Sequence, residues 1–142
     1  MFRKLTDRIL VSPQISVASV AEAKAQGVTI IVNNRPDDEE PGQVNGAEIE
    51  AAAKEAGIAY VAVPVAHGGF SPWQLDGMAQ ALEQVEGGKM LAYCRSGTRS
   101  TLLWALTRAR AGDDGDALAA QAAQAGYDIA PVRQLMDALA GR

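Results

Sequence analysis

Along this chain, short β-branched apolar runs alternate with longer alanine-rich stretches. The runs at 8–12, 28–33, 59–63 and 90–94 are brief and bounded by Gly, Pro or charged residues, which predicts strands. Helices are predicted between them. One spans 17–26 and stops at Gly27; another spans 47–56 and stops at Gly57, both glycines suiting the left-handed position after a helix end. Ser71 and Pro72 supply an N-cap and a first-turn proline for a helix reaching about Val85, ahead of Gly87 and Gly88. Further helices are predicted over 101–111, 114–125 and 132–139, the last behind Pro131. Strands alternating with helices build βαβ units, so the expected fold is α/β, a small and mostly parallel sheet flanked by helices, in a single domain over 1–142. The polar stretch 33–42 comes after a strand and is expected as a surface loop at its carboxyl end, where open α/β sheets hold ligands.

Composition narrows the chemistry. With 142 residues, 48% hydrophobic and 21% charged, the chain has the balance of an ordinary globular domain. No run approaches the ~18 apolar residues of a membrane span. The first ten residues carry Arg3, Lys4, Asp7 and Arg8, which interrupt any leader-like apolar region, so the expected compartment is the cytoplasm. A net charge of -4 with scattered Lys and Arg argues against nucleic acid as a partner. The single cysteine, Cys94, leaves no internal disulfide, no zinc cluster and no resolving thiol. Neither a metal nor a cofactor is called for.

The residues after Cys94 give it a role. A buried strand ending at Cys94 runs into Arg95, Ser96, Gly97, Thr98, Arg99 and Ser100, then into a helix. Successive backbone N–H groups of such a loop converge on one point, and the helix dipole and the Arg99 guanidinium add positive potential there. A thiol at that focus drops from about 8.5 to ~3.5–7.5 and stands as thiolate at neutral pH. Cys94 is therefore the expected nucleophile, Arg99 the two-pronged clamp for an oxyanion, and Ser100 a hydrogen-bond donor to the thiolate. Arg95, Ser96, Gly97 and Thr98 form the anion-binding loop, with the Arg95 side chain directed outward. A free intracellular cysteine is more often an inert, buried apolar residue. Two arginines, a glycine and three hydroxyls in the six positions after Cys94 are poor core material and good anion-binding material. Trp104 is expected in the core, Trp73 near a pocket rim, and Asp76 as a structural partner of its helix's positive end.

The chain resembles the phosphatase-like domain family of bacterial beta-lactamase-hydrolase-like proteins. The likeness rests on Cys94-Arg-Ser-Gly-Thr-Arg-Ser100, on Ile30-Ile-Val-Asn-Asn-Arg-Pro-Asp37 with Glu39, on Tyr60 through Pro64 and Val65, and on Gly126-Tyr-Asp128. It implies a fold similar to the dual-specificity protein tyrosine phosphatases, with Cys94 as nucleophile and Arg99 as anion clamp. Fused relatives of the family suggest a persulfide-oxidising enzyme as partner.

Two departures shape the functional expectation. Only Arg95, Ser96, Gly97 and Thr98 separate Cys94 from Arg99, one residue fewer than in tyrosine phosphatases and similar to the loop of rhodaneses. Phosphatases of this kind also use an acid, commonly an Asp about thirty residues before the cysteine, to protonate the leaving group. That window holds Val63, Pro64, Val65, Ala66 and His67, without a carboxylate. The expectation placed first is a rhodanese-type sulfurtransferase, with a persulfide on Cys94 and a small sulfane-sulfur donor. The alternative is a phosphatase acting on a phosphomonoester through a phosphocysteine, and a non-catalytic oxyanion-binding module ranks last. His67 is the candidate general acid. Arg35, Asp37 and Glu39 are candidates for holding Arg99 or a substrate group across the pocket.

Overall fold

In the computed structural model, which describes residues 2–66, 69–85 and 87–141, the apolar runs assemble into one five-stranded sheet. The strands are β1 (Arg3–Lys4), β2 (Ile9–Ser12), β3 (Val28–Asn33), β4 (Ala59–Ala62) and β5 (Lys89–Tyr93), in the spatial order β1-β2-β5-β3-β4. All neighbours pair in parallel except β1 with β2. The two-residue β1 was not expected, because so short an edge strand carries no alternating pattern of its own.

Strand periodicity sorts the side chains into two cores. Ile9, Val11, Ile30, Val32, Met90 and Ala92 face one side, packed with Leu75, Met78, Leu103, Leu106, Leu118 and Met136. Leu10, Ile31, Leu91 and Tyr93 face the other, packed with Val20, Ala23, Ile49 and Ala53. The helices α1 (Val17–Ala25) and α2 (Gly46–Glu55) therefore cover one face of the sheet, while α3 (Pro72–Glu83), α4 (Thr98–Arg110), α5 (Gly115–Gln124) and α6 (Arg133–Leu139) cover the other. Trp104 is buried in the second of these layers, as expected. Among the described residues no helix is long and apolar enough to cross a membrane.

Local sequence sets the helix starts. Ser16 with Ser19 and Asn45 with Glu48 form reciprocal capping boxes, and Gln74 Oε1 accepts the Ser71 N–H at 2.8 Å, so the chain turns where its polar side chains satisfy free amides. α4 departs from expectation. It begins at Thr98, three residues early, because Gly97 adopts a left-handed conformation (φ 91°) and its carbonyl accepts the Thr101 N–H. Arg99 and Ser100 are thus first-turn helical residues. A 3₁₀ turn at Ala130–Val132 precedes α6.

Parallel pairing brings the carboxyl ends of four strands into one row, with Ser12, Tyr93, Asn33 and Ala62 side by side. The segments that leave this row build the candidate site.

Candidate active site

Cys94 is the first residue after β5 and is wholly buried. Its Sγ accepts the Gly97 N–H at 3.1 Å. The loop is pinned at successive residues by different parts of the fold. The Cys94 N–H donates to the Ser12 carbonyl at 3.4 Å, and the Gln14 N–H donates to the Arg95 carbonyl at 3.2 Å. The Tyr127 hydroxyl donates to the Ser96 carbonyl at 2.9 Å, and Thr101 Oγ1 to that of Gly97 at 2.8 Å. Of the first amides of α4, the Thr98 N–H is taken by Ser96 Oγ at 3.3 Å. Those of Arg99 and Ser100 find no acceptor among the described residues, so they remain free to meet an oxyanion. The expected hydrogen bond from Ser100 to the thiol is not formed. Ser100 is drawn into the first helical turn, where its hydroxyl is buried without a partner.

Arg99 is oriented by two elements. Its Nη1 donates to Glu39 Oε2 at 2.6 Å and to the Val65 carbonyl at 2.7 Å, and its Nη2 to Glu39 Oε1 at 2.8 Å. A guanidinium has five N–H groups. Three are committed here, which leaves the Nε–H and the second Nη2–H, a parallel pair on the opposite edge with the geometry that receives two oxygens of an oxyanion. The Glu39 hydrogen bonds hold the guanidinium above its usual range, with a smaller contribution from the Cys94 charge. Reciprocally, Arg99 first and Arg35 second hold the Glu39 carboxyl down at about 2.

Arg35 forms the wall behind this pair. Its side chain is 2% exposed and spends its donors on Glu39 (Nε, 2.8 Å), Gln14 (Nη1, 3.0 Å) and Glu40 (Nη2, 2.8 Å). Such a buried cation needs all of these partners. Arg95, in contrast, is exposed and lies 3.6 Å from Glu40.

The acidic loop therefore divides. Glu39 reaches Arg99, whereas Asp37, given the same candidate role by the sequence, does not: its Oδ1 accepts the Gly46 N–H at 2.8 Å and fastens the start of α2. The path of the loop accounts for the split, since Asp38 between them takes a left-handed conformation (φ 63°). His67 lies outside the described residues. Trp73 is exposed near the start of α3. Sequence reasoning missed Gln14, the Val65 carbonyl and the hydroxyl of Tyr127. The Gly126-Tyr-Asp128 triplet was the signal for Tyr127 and the run from Tyr60 to Val65 that for Val65, while nothing in the sequence marked Gln14.

A buried cysteine closing a parallel strand, an amide-lined turn into a helix and an arginine in its first turn define the class of protein tyrosine phosphatase-like folds. Within it, the chain belongs to the phosphatase-like domain family of beta-lactamase hydrolase-like proteins, whose model matches residues 1–111. A beta-lactamase hydrolase-like protein of Xylella fastidiosa is 34% identical over 103 residues. That match takes in 72% of this chain but 24% of the relative, so the chain spans about a quarter of the curated protein's length. A candidate phosphatase from Neisseria meningitidis, solved by crystallography, is 31% identical and covers 96% of each chain with a TM-score of 0.83. A variant of P. aeruginosa TpbA in complex with phosphotyrosine gives a TM-score of 0.67 at 17% identity, over 98% of this chain and 87% of that one, a likeness of fold.

Proposed function

We propose that this chain hydrolyses phosphomonoesters, with aryl phosphates such as phosphotyrosine as the substrate class. One observation carries the reading: Arg99 is gripped end-on by Glu39 and keeps its other edge, Nε–H and Nη2–H, free for two oxygens beside the Cys94 thiol. Family membership and the likeness to the Neisseria protein support it. So does the phosphotyrosine bound to TpbA, a protein of the same fold.

In this scheme the Cys94 thiolate attacks phosphorus, the bond to the leaving oxygen breaks, and a phosphocysteine forms. The free edge of Arg99 and the amides of Arg99 and Ser100 hold the equatorial oxygens as charge builds on them. Water then attacks the phosphocysteine, releasing inorganic phosphate and restoring the thiolate. An aryloxide leaves with less help from a proton donor than an alkoxide, which suits the lack of a carboxylate at 63–66.

The order of the two chemistries placed by the sequence is thus reversed. Counting residues between Cys94 and Arg99 treats the cradle as loop alone. Here the first turn of α4 adds the Arg99 and Ser100 amides to it, so a short loop still offers several donors. The spacing itself favours sulfur transfer as a second reading on the same site.

One preparation separates the two. Release of para-nitrophenol from its phosphate, blocked by orthovanadate and absent in Cys94→Ser, is the expected result. Thiocyanate formation from thiosulfate and cyanide, without any cysteine-dependent phosphate release, would replace phosphatase by sulfurtransferase.

A further inference from the structure

Tyr127 lies beyond residues 1–111, the span matched by the family model, in the turn after α5. Its hydroxyl donates to the Ser96 carbonyl at 2.9 Å, and the Arg3 guanidinium stands over its ring, 5.0 Å from the centroid. The edge strand β1 and the C-terminal helical region thus meet beneath the cysteine loop.

The Ser96 carbonyl and the Gly97 N–H belong to one peptide unit. That unit is trans and planar, so its C=O and N–H point in opposite directions. With the carbonyl drawn to Tyr127, the N–H is aimed the other way, and it meets Cys94 Sγ at 3.1 Å. Gly97 has φ 91° and ψ -9°, close to the third position of a type II turn, and the peptide before a glycine in that position can turn over at low steric cost. Turned over, it would present a carbonyl oxygen to the thiol in place of a donor. Gly97 also leaves room for the contact, because a Cβ there would overlap the Tyr127 hydroxyl and stand 2.8 Å from Tyr127 Cζ.

We propose that Tyr127 is a positioning residue that locks the Ser96–Gly97 peptide with its N–H toward Cys94, and so stabilises the thiolate without touching substrate. The assignment rests on Cys94 being the nucleophile, but not on which group is transferred. Among the described residues, the Arg99 guanidinium and the Tyr127 phenol are both raised by the Cys94 charge, and burial raises the Tyr127 phenol more than that charge does.

Tyr127→Phe keeps the ring under Arg3 and removes only the hydroxyl. The thiol–thiolate transition of the sole cysteine is read by ultraviolet absorbance, with Cys94→Ser as blank, alongside the pH profile of kcat/KM on para-nitrophenyl phosphate. The expected result is a midpoint about one unit higher in Tyr127→Phe, with the acid limb of kcat/KM moving equally, as loss of one hydrogen bond to a charged group implies. In amide NMR the Gly97 resonance should follow the thiol transition in the wild type and lose that response in the variant. Gly97→Ala, which expels the hydroxyl sterically, should raise the midpoint in the same direction. A lower melting temperature with an unmoved midpoint in either variant would make Tyr127 a packing residue and overturn the assignment. A wild-type midpoint at the ordinary thiol value of about 8.5 would overturn the nucleophile reading itself, a different outcome from failure of the Tyr127 contact.

Discussion

The Arg99 guanidinium meets the Glu39 carboxylate end-on across 60 residues of chain, Nη1 to Oε2 at 2.6 Å and Nη2 to Oε1 at 2.8 Å. This pairing fixes which edge of the arginine is left for an oxyanion. It also makes the charge of Glu39 part of both the site and the fold.

Glu39→Gln sets an amide NH₂ against one guanidinium nitrogen, so one of the two contacts becomes donor against donor. The prediction is a fall of about 10²-fold in kcat/KM on para-nitrophenyl phosphate, the scale expected when a positioning contact slips. The same variant tests a pH dependence. The folded Glu39 value of about 2 lies below the reference 4.5, so the stabilisation is complete above pH 4.5 and is lost as pH falls through about 2. Denaturant titrations across that window should show the wild type losing more stability than Glu39→Gln; equal losses would refute the linkage.

Arg99→Lys keeps the charge but offers a single ammonium in place of two donor edges. A lysine cannot grip both Glu39 oxygens and still present a parallel pair to the substrate. The expected loss is about 10²–10³-fold in kcat/KM with the fold intact by circular dichroism. Near-wild-type turnover would show that charge alone suffices.

Arg35→Met removes a buried cation and strips one donor each from Glu39, Glu40 and Gln14. Breaking a buried pair by deleting one partner is strongly destabilising, and a loss of about 3 kcal/mol is predicted by urea denaturation. A change near zero would mean that methionine packing replaces the ionic contacts.

For Asp37 the structure predicts the opposite separation of effects. Its carboxylate serves the Gly46 amide at the start of α2, so Asp37→Ala should lower stability by about 1 kcal/mol, as loss of a helix cap does, and leave kcat/KM unchanged. A large activity loss at unchanged stability would return Asp37 to the site.

The elements were legible in the sequence because their causes are local. Apolar spacing marks strands and helices, Ser16 and Asn45 each reach an amide within three residues, and Gln74 reaches back to that of Ser71. The cysteine loop was legible for the same reason, its residues being contiguous from Cys94 to Ser100. The start of α4 was not, since it depends on Gly97 taking a left-handed turn against Tyr127, 31 residues away from Ser96.

Four carboxylates in a row, from Asp37 to Glu40, read alike in the sequence. Only the folded loop, turned at Asp38, sends Glu39 to Arg99, Glu40 toward Arg35 and Arg95, and Asp37 to α2. The sequence by itself determined four of the five strands, most of the helices and the residue types at the site. Tertiary structure decided which charges meet, because an ion pair closed across 60 residues is set by where the sheet brings two loops together and by no pattern within either loop.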